Sequence, residues 1–184
     1  MAVTLILVAL NFVAYLFELA SGGQGACEAY GLVPARFVLS GDFSSVLSSM
    51  FCHDPSTLVH LLGNMAFLAL FGTLVERELG HVRFLGLYLV AGVLGGLMHV
   101  LVDPRSTTPL VGASGAIFGV LAVAGALRPR LLGFVAAFAG IQVWHAFTGG
   151  AENVSFACHI GGFVAGVIVV AMMRATGSEA LEIT

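Results

Sequence analysis

One serine of the chain stands among small residues, in the run Gly112-Ala113-Ser114-Gly115. Serine is a poor nucleophile unless a nearby base takes its proton, so a catalytic role requires a base within hydrogen-bond reach. Gly112 and Gly115 would let backbone approach closely and leave the Ser114 amide accessible as a donor to a developing oxyanion. The run alone is weak, because a serine among glycines in an apolar helix is most often a packing residue.

His159 is the candidate base, and it is followed by Gly162 and Gly166 at helical spacing, so the three residues share one face. The stretch that holds Ser114 carries a matching stripe of small residues. These are Gly115, Gly119, Ala122 and Ala126. Such stripes let two membrane helices pack backbone to backbone, which predicts a hydrogen bond between Ser114 and His159. The alternative is a histidine whose ring bonds a backbone carbonyl.

His60 and Asn64 form a third motif, because their spacing of four places both side chains on one helical face. A neutral imidazole and an amide can each donate a hydrogen bond. Donors aimed at the negative charge that develops during acyl transfer are worth about 10²–10³-fold in rate. The alternative is that these side chains bond a neighbouring helix or a water.

The elements that must position these residues are membrane helices. Of 184 residues, 59% are hydrophobic and 9% are charged, whereas about a quarter are charged in soluble domains. Six apolar stretches approach the roughly 20 residues that cross a hydrocarbon core. They cover residues 2–20, 57–75, 84–102, 110–127, 131–147 and 153–173. The pattern predicts one all-α domain over residues 1–184, a polytopic six-helix bundle with a long first outer loop at 21–56 and a first stretch that is retained rather than cleaved.

The arginines predict the orientation of this bundle. With both termini in the cytoplasm, the inner side carries Arg77, Arg83, Arg128, Arg130 and Arg174, and the outer side carries Arg36 and Arg105. The second, fourth and sixth stretches then all begin at the outer face. At about 1.5 Å per residue, their polar motifs reach a common depth, which predicts one shared site just below the outer surface.

The three motifs, in this order on alternate stretches, resemble the rhomboid family of intramembrane serine proteases. The resemblance covers nearly the whole chain. It implies that Ser114 is the nucleophile and His159 the base of a dyad without a carboxylate. It also implies an oxyanion hole made by His60, Asn64 and the Ser114 backbone amide.

Three features depart from the family pattern. The aromatic residue four positions after the serine, which packs on the catalytic histidine and is often Tyr, is Phe118 here. The Trp-Arg pair that is common in the first loop is absent. The usual loop histidine corresponds to His53, but the gap to His60 is about two residues longer than in typical members.

The resemblance implies a hydrolase, a serine endopeptidase that cleaves the transmembrane segments of single-span membrane-protein substrates near the outer leaflet. Substrates would enter between the second and fifth spans, with small side chains preferred at the cleaved bond. No cofactor or metal is expected, because no Cys, His and carboxylate cluster has ligand spacing. The net charge of −3 offers no basic patch for nucleic acid. The lipid bilayer of a prokaryotic plasma membrane is the expected location, and the oligomeric state stays open.

Two alternatives belong to other classes. A rhomboid-like pseudoprotease would bind membrane clients without cleavage, although such relatives generally lack the serine or the histidine. A small membrane transporter would show inverted repeats or carboxylates at the bilayer midplane.

The remaining histidines and the cysteines have bland interpretations. His99 and His145 lie near the outer ends of their stretches without a glycine face, so we interpret both as structural or interfacial, and His81 is placed in a cytoplasmic turn. The three cysteines are most simply free thiols, with a Cys27–Cys52 bridge left open.

Overall fold

Nine α-helices make up most of the computed structural model, which describes residues 1–148 and 155–176. They are α1 (Ala2–Ala20), α2 (Gln24–Tyr30), α3 (Pro34–Ser40), α4 (Phe43–Ser49), α5 (Leu58–Leu79), α6 (His81–Val102), α7 (Ser114–Leu127), α8 (Leu132–Thr148) and α9 (Phe156–Ala175). Within these described residues the one β-type pairing is an isolated bridge between Leu32 and Leu110. The described chain is therefore all-helical.

Four helices, α1, α5, α6 and α9, are long and apolar enough to cross a membrane. The helix α7 is a shorter apolar helix of 14 residues, and α8 has 17. The count of six spans stays a prediction. The predicted sixth stretch begins at residue 153, and its first two residues lie outside the described part of the chain.

The helices α5 and α6, which correspond to the second and third apolar stretches, are longer than predicted. The sequence placed their facing ends at residues 75 and 84, but α5 continues to Leu79 and α6 begins at His81. The reason is Gly80, whose φ of +79° lies in the left-handed region that favours glycine and turns the chain in one residue. His81 is thus the first residue of α6 rather than part of a turn, and its ring contacts Glu76.

The helix α7, which corresponds to the fourth apolar stretch, is shorter than predicted and begins at Ser114 instead of residue 110. Hydrogen bonds to distant segments keep the preceding backbone out of the helix. Leu110 exchanges two backbone hydrogen bonds with Leu32, and the Gly112 N–H donates to the Ser49 carbonyl at 2.9 Å. These bonds replace the helical ones that the apolar pattern suggested.

The segment from 21 to 56, predicted as a long loop rich in Gly and Ser, contains the three short helices α2, α3 and α4. Asp42 caps α4 by accepting a hydrogen bond from the Ser44 N–H at 3.0 Å. Leu32 and Val46 are fully buried against Val100 of α6. The segment is therefore packed onto the end of the bundle that also carries the serine motif.

The helices α6, α7 and α9 form the centre of the bundle, and glycines set their spacing. A side chain at Gly161 would meet the Leu94 carbonyl at 2.9 Å, and one at Gly95 would meet the Cys158 carbonyl at 2.7 Å. These close approaches bring backbones into direct contact, as small residues do between membrane helices.

Candidate active site

Ser114 is the first residue of α7, directly after a constrained turn. Gly112 has a φ of +122°, at which any other residue would be strained, and a Cβ there would lie 2.9 Å from His60 Nε2. Backbone amides in the first turn of a helix have no helical carbonyl to bond. The Ser114 N–H is thus placed as a donor at the head of α7.

His159 stands in the first turn of α9, and the start of that helix is anchored by Ser155. The Ser155 hydroxyl accepts a hydrogen bond from the Cys158 N–H at 3.2 Å and contacts His99 Nδ1 at 2.7 Å. Either group can donate in this second contact, because a hydroxyl both donates and accepts and a neutral imidazole has one nitrogen of each kind. His99 therefore connects α6 to the cap of α9, a structural contact rather than part of the serine site.

The glycine faces of α7 and α9 meet directly. A side chain at Gly162 would collide with the Gly115 carbonyl, and one at Gly166 would collide with Gly119. This close packing brings the heads of the two helices together. His159 Nε2 lies 2.8 Å from Ser114 Oγ, a hydrogen-bond distance.

His60 and Asn64 face the same site from α5. Asn64 Nδ2 donates to the His60 carbonyl at 2.9 Å, which leaves its second N–H available. His60 Nδ1 accepts from the Asp54 N–H at 3.4 Å, so the ring proton lies on Nε2, the nitrogen that faces Gly112. Both side chains are thus held as donors beside the backbone that leads into Ser114.

A cavity of about 420 Å³ joins these residues. Residues of α5, α7, α8 and α9 line it, among them Ser114, His159, His60 and Asn64. Its remaining wall is mainly apolar. The apolar lining includes Val59, Phe67, Ile117, Phe118, Leu121 and Phe138. A largely apolar cavity with a few convergent polar groups is typical of a ligand site.

Phe118 stacks on the His159 ring, with centroids 4.3 Å apart and planes 12° from parallel. Behind it, Phe138 of α8 stacks on Phe118 at 5.2 Å. The contact that the sequence expected from an aromatic residue at position 118 is present without a hydroxyl.

Gln142 of α8 is a site residue that the sequence reasoning missed. Its Oε1 lies 2.8 Å from His159 Nδ1, on the side of the ring opposite Ser114. In the sequence, Gln142 stood out only as an amide in the mainly apolar stretch 131–147. His145, on the same helix, lines the cavity and stacks on Phe156 at 5.5 Å.

Three buried loop side chains near the site, His53, Cys27 and Cys52, are uncharged at pH 7. Burial lowers the pKa of His53 to about 4, and the nearby His60 adds to this shift. Burial raises the pKa of the Cys27 thiol to about 11 and that of Cys52 further. All three cysteines are buried free thiols. Over residues 1–148 and 155–176, no group of His, Cys, Asp and Glu is arranged to hold a metal ion.

Fold and site together define a helical integral membrane protein with a serine–histidine pair at the heads of two closely packed helices. The Rhomboid domain family matches residues 40–176, and the chain belongs to this family. Its membership supports a multi-pass membrane protein related to intramembrane serine proteases.

Individual relatives agree with this assignment. The chain is 31% identical to RHOMBOID-like protein 5 of Arabidopsis thaliana over 146 residues, 74% of this chain and 46% of that protein. It is 30% identical to Rhomboid protease GluP of Bacillus subtilis (strain 168) over 179 residues, 92% of this chain and 34% of that protein. Rhomboid-like protein 11, chloroplastic, of Arabidopsis thaliana is 43% identical over 77 residues, 42% of this chain and 26% of that protein. The chain spans less than half the length of these curated relatives.

Proposed function

We propose that this chain is an intramembrane serine endopeptidase in which Ser114 is the nucleophile and His159 its general base. The observation that carries the proposal is the 2.8 Å contact between His159 Nε2 and Ser114 Oγ at the edge of a cavity. A serine and a base at this distance can perform nucleophilic acyl transfer. Membership of the rhomboid family supports the same chemistry.

In the proposed reaction, His159 Nε2 takes the Ser114 proton as Oγ attacks the scissile carbonyl carbon. The oxyanion that forms accepts hydrogen bonds from the Ser114 N–H, Asn64 Nδ2 and His60 Nε2. His159 then gives its proton to the leaving amine, and the peptide C–N bond breaks. Water, deprotonated by His159, hydrolyses the acyl-enzyme and restores Ser114.

The proposed substrates are single-span membrane proteins, cut near the outer leaflet by an enzyme whose termini face the cytoplasm. Residues of both α5 and α8 line the cavity, which favours entry of a substrate segment between these helices. Its apolar wall suits the side chains of a transmembrane segment. The family resemblance adds an expected preference for small side chains at the cleaved bond.

Labelling with a fluorophosphonate, which reacts with activated serines, tests the proposal directly. We expect the purified wild type to be labelled and Ser114→Ala and His159→Ala to remain unlabelled. Ser40→Ala is a matched control, because Ser40 is exposed and its hydroxyl donates to the Arg36 carbonyl away from the cavity. In liposomes with a model single-span substrate, the variants that are not labelled should also fail to cleave, and Ser40→Ala should cleave like the wild type. Equal labelling of the wild type and Ser114→Ala would exclude the assignment, and an unlabelled wild type would favour a client-binding pseudoprotease.

A further inference from the structure

Both nitrogens of the His159 ring are in hydrogen-bond contact with side chains of other helices. Nε2 faces Ser114 Oγ on α7, and Nδ1 faces Gln142 Oε1 on α8, each at 2.8 Å. A neutral imidazole has one nitrogen that donates and one that accepts. For Nε2 to accept the serine proton, the ring proton must lie on Nδ1. The Nδ1–H then donates a hydrogen bond to the amide oxygen of Gln142.

The ring is therefore held in two ways. Phe118 lies parallel to it at 4.3 Å and restricts its tilt. Ser114 and Gln142, on opposite edges, restrict its rotation within the plane. Both Gln142 and His159 are buried, at 9% and 8% exposure, so water competes little for the Nδ1–H.

We propose that Gln142 is a positioning residue that takes the third place beside Ser114 and His159, holding the imidazole in the Nδ1–H tautomer. This inference rests on the proposed peptidase function. In a Ser-His-Asp triad, the carboxylate sets the tautomer and orientation of the histidine and also stabilises the imidazolium. The amide oxygen of Gln142 performs the first task and, lacking a full charge, performs the second only weakly.

An amide suits this location better than a carboxylate. An ionised side chain within a membrane bundle is expensive to desolvate unless it is paired. A neutral acceptor orients the histidine without the desolvation free energy of a buried charge. The contact joins α8, which lines the cavity, to the imidazole of His159 on α9.

Two substitutions separate this role from a packing role. Gln142→Met keeps the approximate volume and removes the acceptor, so we expect kcat to fall by about 10- to 100-fold, part of the value of general base catalysis, while KM changes by less than about twofold. Gln142→Glu restores an acceptor, and we expect it to recover most of the activity. Its carboxylate also stabilises the imidazolium, so the acidic limb of its kcat/KM profile should move to higher pH.

The titratable side chains that share the cavity with His159 are His60 of α5 and His145 of α8. His145→Gln is therefore the matched control, because it removes a titratable ring from α8 that stacks on Phe156. We expect it to leave the acidic limb where it is in the wild type. A limb that moves equally in His145→Gln and Gln142→Glu would overturn the inference.

A readout that does not depend on activity completes the test. In ¹⁵N-histidine spectra of the detergent-solubilised protein, with His159 assigned by its loss in His159→Gln, we expect the Nδ1–H tautomer in the wild type and a tautomer mixture in Gln142→Met.

Unchanged kcat and an unchanged tautomer in Gln142→Met would refute the role of Gln142. Fluorophosphonate labelling of Ser114 in the same experiment would still support the peptidase. A raised KM with unchanged kcat would also refute the role of Gln142, because it would indicate substrate contact instead. An unlabelled wild type with the expected tautomer would reject the peptidase and retain the contact.

Discussion

The buried polar cluster around Glu76 and the one around Ser114 differ in their hydrogen bonding. The Glu76 carboxylate accepts hydrogen bonds from the Val3 N–H at 2.9 Å, the Thr4 N–H at 2.8 Å and the Thr4 hydroxyl at 2.6 Å. It also contacts His81 Nδ1 at 2.5 Å. Around Ser114, by contrast, the donors of Asn64 and the backbone border a cavity.

The difference separates a polar cluster that stabilises from one that can react. At Glu76 the acceptors are used by the chain itself, and the carboxylate caps the first turn of α1, where backbone N–H groups lack helical partners. At Ser114 the donors are held in place but left available. Donors that are fixed before the reaction stabilise a charge that appears only in the transition state.

The largest change in stability is expected from Glu76→Ala, which removes the acceptor at the centre of the Glu76 cluster. In Glu76→Ala, the Val3 and Thr4 donors lose their acceptor in a buried place, so we expect the free energy of unfolding to fall by about 3 kcal/mol. Thermal unfolding in detergent would measure this. The kcat of the folded fraction should stay within about twofold of the wild type, because Glu76 does not line the cavity.

Glu78→Ala is the matched control for that substitution. Glu78 pairs with Arg128, and the two side chains are 17% and 39% exposed. Ion pairs in contact with solvent contribute about 0–1 kcal/mol. Similar losses of stability in the Glu76 and Glu78 variants would contradict the distinction between the two clusters.

Removing an available donor should do the reverse. In Asn64→Ala we expect kcat to fall by about 10²-fold, the usual effect of losing one oxyanion donor, with a small change in the unfolding midpoint. Asn11→Ala provides the mirror image, since Asn11 is fully buried on α1 and donates to the Leu7 carbonyl at 2.7 Å. It should lose stability and keep kcat. A large stability loss in Asn64→Ala with an unchanged rate would place Asn64 with the structural residues.

The smallest effect is expected from His53, whose ring lies beside that of His60 with centroids 5.1 Å apart. Burial lowers the pKa of His53 from its ordinary value of 6.5 to about 4. Between these values the unfolded chain binds a proton that the folded chain does not, so stability falls as pH decreases through this window. We expect the unfolding midpoint to drop between about pH 7 and about pH 5, with a shallower slope in His53→Gln. Equal slopes in the two proteins would show that His53 does not contribute.

Much of the bundle could be predicted from the sequence because lipid imposes strict conditions on a spanning chain. Apolar length located the helices, and the spacing of Gly162 and Gly166 behind His159 indicated the face that packs on α7. The errors arose where segments distant in sequence meet. Residues 110–113 are apolar enough to continue a helix, but the backbone bonds of Leu110 with Leu32 and of Gly112 with Ser49 keep the helix from beginning before Ser114.

What the sequence by itself determined is the class of the protein and the candidates Ser114, His159, His60 and Asn64, because each sits in a motif whose spacing defines one helical face. Only the tertiary structure decided which residues complete the site. Gln142 meets His159, and His99 reaches the cap of α9, through the packing of helices that no local pattern relates. Periodicity specifies the face that a helix buries, whereas the neighbour that the face meets depends on how all the helices pack together.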